Sequence, residues 1–85
     1  MTATKKRRTV GAQAAAIREL MRECGIVDAR ELDLRSNVPA DTIRNLLRGK
    51  TETMTGANLA LLAGVFTAMS KRVVTREMLA EGRVR

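Results

Sequence analysis

Between Pro39 and Gly49 the sequence PADTIRNLLRG separates, along a helical period, into two faces that need different surroundings. At about 100° per residue, Asp41, Arg44, Asn45 and Arg48 fall on one side and Ile43, Leu46 and Leu47 on the other. The apolar side calls for a core beneath it. The other side carries cationic and hydrogen-bonding groups suited to reading a polar polymer. At about 1.5 Å per residue such a helix is roughly 15 Å long, which suits a groove about 12 Å wide.

The flanking segments supply that core in helical pieces. Ile17, Leu20, Met21 and Cys24, with Gln13 ahead of them, share one face of a first helix starting near Val10, while Arg18, Glu19 and Arg22 turn away. Thr9 is its expected N-cap. Gly25 is placed to end it in a left-handed conformation, with Ile26 folding back. Asp28 and Glu31 have the spacing of a capping box for a short second helix, Ala29 to Ser36, whose inward anchor is Leu32. Asn37 suits a left-handed reversal, Val38 a buried turn contact, and Pro39 the first turn of the next helix. After a polar loop from Lys50 to Thr53, Leu59, Leu62, Ala63, Phe66 and Met69 mark a fourth helix, Thr55 to Met69. A fifth runs from Thr75 to Ala80. The fold class is therefore all-α: a compact bundle of about five short helices.

An 85-residue chain makes one small domain that removes only about 60% of its unfolded surface from water, so the core must be economical. Val73, Val74, Met78 and Leu79 are more apolar than a chain end usually is. Two uses stay open for them, capping the core and pairing two copies as a homodimer.

Sixteen Lys and Arg against nine Asp and Glu give a net charge of +7. Lys5, Lys6, Arg7 and Arg8 lie in one run, and Arg83 and Arg85 end the chain; setting these six aside leaves ten basic and nine acidic residues. The organisation expected is a basic arm (1–8), a nearly neutral folded body (9–82) and a basic tail (83–85). The arm is either a solubilising tail or a segment that meets nucleic-acid phosphates. Phe66 is the sole aromatic residue, which argues against base stacking on aromatic platforms as a way of binding single strands.

The longest apolar windows, such as Leu59 to Met69, fall well short of the roughly 20 residues that span a bilayer, and no signal peptide is expected. Cys24 is the one cysteine and histidine is absent, so neither an internal disulfide nor a metal set is expected, and Cys24 reads as a small core residue. Without a nucleophile and base pair, a metal set or a Gly-rich phosphate loop, no enzyme and no cofactor is expected. Asp33 and Asp41 alone do not make a catalytic pair. The expected localisation is cytoplasmic, with the nucleoid.

Leu32, Asn37, Val38, Ile43 and Leu46, then Gly49 and the Leu59, Leu62, Ala63 and Phe66 helix, resemble the lambda-repressor-like (Cro/Xre-type) helix-turn-helix family over roughly Ala15 to Gly82. The resemblance implies a transcriptional regulator of bacterial or phage type, a repressor in the first instance, that binds double-stranded DNA as a homodimer. Its third helix would read the major groove. Carried over by position, it implies base reading by Ala40, Asp41, Thr42 and Asn45, with Arg44 and Arg48 on guanine or phosphate. Lys50, with Lys5, Lys6, Arg7 and Arg8 in the arm, would hold phosphates. Asp41 also sits where a carboxylate caps free N–H groups, and capping is the favoured of its two roles.

The chain departs from the family at three positions. Asn37 replaces the usual turn Gly, Thr67 stands where Gly is frequent, and Asp33 replaces a small Ala at the close approach of the second and third helices. A buried unpaired carboxylate is costly. Asp33 is thus expected to turn to solvent or to an Arg, or the helices to splay, or the short helix to be irregular. A protein-interaction module of the same fold, antitoxin-like or an adaptor, is the alternative; its partner binding would survive Arg44→Ala and Arg48→Ala.

Overall fold

The computed structural model describes residues 11–84, and these form five helices with no strand among them. They are α1 (Ala12–Cys24), α2 (Ala29–Ser36), α3 (Ala40–Leu47), α4 (Gly56–Ser70) and α5 (Arg76–Glu81). The boundaries follow local chemistry. Asp28 accepts from the Glu31 N–H at 2.9 Å, Thr55 from the Asn58 N–H at 3.2 Å and Thr75 from the Met78 N–H at 3.1 Å, each satisfying a donor that the first helical turn leaves open. The Glu31 carboxylate reaches back to the Val27 N–H at 3.3 Å, one residue ahead of the position a standard capping box would use. Gly25, Asn37, Lys71 and Gly82 end their helices in the left-handed region. At the first of these, Ile26 N–H donates back to Met21 O at 2.8 Å and the Ile26 side chain is buried.

α4 and α5 are each shifted by one residue from the sequence-based expectation, with Thr55 and Thr75 as N-caps, and three other boundaries differ in kind. α1 starts at Ala12 with Gly11 as its N-cap, so the proposed Thr9 cap does not hold; Thr9 and Val10 lie outside the described residues. Pro39 is the N-cap of α3 and not part of its first turn. α3 also ends at Leu47, because Arg48 becomes the C-cap and Gly49 turns to φ 83°, leaving an eight-residue helix about 12 Å long.

Ile17, Leu20, Leu32, Val38, Ile43, Leu46, Leu62, Phe66 and Leu79 are the large side chains fully withdrawn from solvent. Burying each stabilises the fold by about 1.5–3 kcal/mol before the entropy of ordering is counted. α1 packs on α3, α4 and α5, and α4 packs on α1, α2 and α5, so these two long helices hold the bundle. α3 packs only on α1 and α2 among the helices. α2 and α5 likewise pack on two helices each.

Two polar cross-links tie the chain ends into this core. The Gln13 side chain is buried, accepts from Met54 N–H at 3.0 Å and donates to Ala80 O at 3.2 Å, joining α1 to the α3–α4 loop and to α5. The Thr67 hydroxyl accepts from Val74 N–H and donates to Val74 O, both at 2.9 Å. Its side chain thus fixes the α4–α5 connection, a task that Gly at that position has no atoms for.

The apolar C-terminal group resolves into core and surface. Val74 and Leu79 are buried, Met78 is half-buried and Val73 is exposed. Of the two uses open to these residues, Val74 and Leu79 take the first, filling the protein's own interior, so a homodimer contact through all four no longer fits. Cys24 is half-buried at the core margin, a step short of the core position expected for it. Burial, and then the charge of Glu23, push its thiol above the ordinary cysteine range. Val84 packs against the core, and Arg83 pairs with Glu81 at 2.8 Å.

Candidate nucleic-acid interface

α3 turns Ile43 and Leu46 fully inward and leaves Asp41 and Arg48 exposed, with Ala40, Thr42, Arg44, Asn45 and Leu47 half-buried between them. The division follows the apolar and polar arcs of its sequence. Its position is then held at both ends by side chains from other helices.

At the N-terminal end, Pro39 cannot supply a capping oxygen. Asp33 does so from α2: its Oδ2 accepts from Ala40 N–H at 3.0 Å. The half-buried carboxylate thus meets a free donor at the positive end of a helix, which removes the conflict that Asp33 posed in the sequence. The carboxylate is neither turned fully to solvent nor paired with an Arg among the described residues, and α2 is a regular helix; the backbone N–H of Ala40 is its partner instead. The short turn between the helices is braced by Ser36, whose hydroxyl donates to Leu32 O at 2.7 Å and accepts from Val38 N–H at 3.1 Å.

At the C-terminal end, Arg18 of α1 donates from Nη2 to Leu47 O at 2.8 Å, placing a cation where the α3 dipole is negative. The chain then wraps tightly, with Lys50 and Thr51 N–H groups both donating to Asn45 O at 2.8 and 3.3 Å. Lys50 is thereby held one turn beyond the helix end. Gly11 lies against this same loop, since a Cβ at Gly11 would stand 3.5 Å from Glu52 O. The run Lys5, Lys6, Arg7 and Arg8 lies outside the described residues.

Individual side chains depart from the simplest expectation. Asp41 does not cap α3; its carboxylate accepts from Arg44 Nη1 at 2.9 Å, and Asp33 holds the capping role. With the two side chains 90% and 42% exposed, that pair contributes no more than about 1 kcal/mol, so Arg44 is only loosely held. Asn45 uses its backbone carbonyl in the loop while its side-chain amide makes no hydrogen bond to a described residue. Arg48 and Lys50 have no carboxylate partner among the described residues. Among the described residues, the outer side of α3 and its loop therefore offers one amide without a hydrogen bond, two cations without a carboxylate partner and one loosely paired guanidinium.

Asp33, Arg18 and Gln13 are the positioning residues that sequence reasoning did not identify. The available signals were a proline in an N-cap position without an acceptor of its own, and a glutamine on an otherwise apolar helix face.

No three His, Cys, Asp or Glu side chains converge as metal ligands among the described residues, and no described helix is long and apolar enough to cross a membrane. No protein-family model, curated protein or solved structure matches the chain.

Proposed function

We propose that this protein is a sequence-specific double-stranded DNA-binding regulator of transcription, a repressor in its simplest mode, with α3 in the major groove. The observation that carries the reading is the outer side of α3 and its loop, where the Asn45 side-chain amide makes no hydrogen bond to a described residue and Arg48 and Lys50 have no carboxylate partner among the described residues. Asn45 can bond adenine through two hydrogen bonds, and Arg44 or Arg48 can fork onto guanine O6 and N7. Ala40 and the Thr42 methyl suit the thymine methyl group. Lys50 and the arm cations Lys5, Lys6, Arg7 and Arg8 hold phosphates on either side of the groove. Two copies engage two half-sites about one helical turn apart. Regulation then acts through the occupancy of a site.

The test is competition binding to duplex DNA at several salt concentrations, with a duplex selected from a random pool set against its scrambled counterpart. Preference for the selected duplex, persisting as salt rises, supports the reading. Equal affinity for both at every salt concentration rejects specific readout.

A further inference from the structure

The outer side of α3 and its C-cap carry two arginines in different surroundings. Arg48 is exposed at the C-cap and has no carboxylate partner among the described residues. Arg44, one turn earlier, is half-buried and donates from Nη1 to Oδ1 of Asp41 at 2.9 Å. That bond leaves Nε and Nη2 of Arg44, one complete edge of the guanidinium, without a hydrogen bond to a described residue. Asp41 is itself exposed on the same arc. A carboxylate there opposes a polyanion, and on charge alone it weakens binding to every duplex equally.

We propose that Asp41 is a specificity-determining residue, which holds Arg44 for guanine and keeps it off phosphate. Geometry favours the base. With Nη1 committed to Asp41, the fork that remains is the Nε and Nη2 edge, and its two parallel donors match O6 and N7 of guanine, the only base edge in the major groove that presents two acceptors. Charge disfavours the backbone. A phosphate on that edge would set a full negative charge beside the Asp41 carboxylate, whereas O6 and N7 carry only partial charges. The pair is loose while both side chains are wet, and it tightens in a groove from which water is displaced, because the same charges attract more strongly at lower dielectric. Arg48, with no carboxylate beside it among the described residues, stays available to phosphate. Of the two arginines that could fork onto guanine, Arg44 is the one prepared for it.

The proposal rests on duplex recognition by α3 and names the base that one of its side chains selects. Affinities of the full chain are measured over a range of salt for a duplex selected from a random pool, for its scrambled counterpart, and for versions in which each G·C pair in turn becomes A·T. The wild type is expected to favour one G·C pair by about 5- to 150-fold. Arg44→Lys keeps the charge but loses the fork, and with it most of that preference. Asp41→Asn loses preference at the same pair, binds the scrambled duplex more tightly than the wild type does, and steepens the slope of log affinity against log salt by about 0.9 as Arg44 passes to a phosphate. A merely structural role at the start of α3 would instead lower affinity for all duplexes alike. That outcome overturns the proposal, as does wild-type discrimination at every pair in Asp41→Asn or in Arg44→Lys; Asp41→Ser repeats the measurement should Asp41→Asn not fold. A wild type that binds selected and scrambled duplexes alike rejects duplex recognition itself, and the proposal with it.

Discussion

The Asp33 carboxylate of α2 accepts a hydrogen bond from the backbone N–H of Ala40 at 3.0 Å and so caps the helix that follows the turn. The residue that looks most out of place for a close helix pair is the one that fixes the entry to α3. Replacing it by alanine removes the acceptor and leaves an N–H at the start of α3 without a protein partner. Asp33→Ala is expected to lower stability by about 0.5–2 kcal/mol in urea unfolding, and Asp33→Asn by less, because an amide oxygen still accepts. Equal midpoints for wild type and Asp33→Ala would show that the cap contributes nothing.

Gln13 makes a sharper case, because both ends of its amide are committed inside the protein. Gln13→Met preserves its approximate shape but strands Met54 N–H and Ala80 O, for an expected loss of about 1–3 kcal/mol. Gln13→Glu restores the acceptor for Met54 but no donor for Ala80. Hydrogen exchange should then report faster opening at both the α3–α4 loop and the end of α5 in Gln13→Met; protection unchanged at either site contradicts the cross-link.

Much of the architecture was legible because it is written locally. Asp28 caps the helix that follows it, and Gly25 and Asn37 end helices by their own backbone preference, whereas Thr55 and Thr75, read as the first helical residues, are N-caps. The buried positions of α2, α3 and α4 follow their periods for the same reason. What escaped was long-range or a matter of competing partners. Asp41 resembles a cap by position, but Asp33 reaches the open N–H from another helix and Arg44 takes the Asp41 carboxylate. Val74 and Leu79 are as apolar as interface residues, and only the packing of α5 on α1 and α4 shows that they are spent on the core. The polar arc of α3 was readable in full, apart from the early end at Leu47, where Arg48 carries the turn.

The glycines separate strain from collision. Gly25 and Gly82 share a left-handed backbone, but a side chain at Gly25 meets open space while one at Gly82 runs into Ala12 of α1. Gly82→Ala should therefore destabilise clearly more than Gly25→Ala, which carries only the backbone strain of about 1 kcal/mol. Equal losses in denaturant titrations would mean that the end of α5 does not press on the start of α1.

Burial and the neighbouring Glu23 charge raise the Cys24 thiol, so less thiolate is present at neutral pH than in a free cysteine. Alkylation by iodoacetamide is expected to be slower than that of an unstructured cysteine peptide at pH 7 and to accelerate at higher pH than the peptide does. A reaction as fast as the peptide's at pH 7 disagrees with a half-buried, deactivated thiol.

Lys50 is held beyond the end of α3 by the donation of its own N–H to Asn45 O, and it has no acidic partner among the described residues. If it neutralises one phosphate, Lys50→Ala reduces the slope of log affinity against log salt by about 0.9, uniformly across sequences. Removing residues 1–8 takes away four further charges, for a reduction of up to about 3.6 per copy. Slopes identical to wild type in both variants would place the phosphate contacts elsewhere.

Base reading by the outer side of α3, as proposed above, turns on Asn45. A duplex selected from a random pool by the wild type is mutated one base pair at a time, and affinities are measured for wild type and Asn45→Ala. Asn45→Ala is expected to lose about 1–3 kcal/mol on the selected duplex and to lose discrimination at a single base pair, keeping it at the others. An unchanged preference at every position, or a loss spread evenly over all of them, would contradict it.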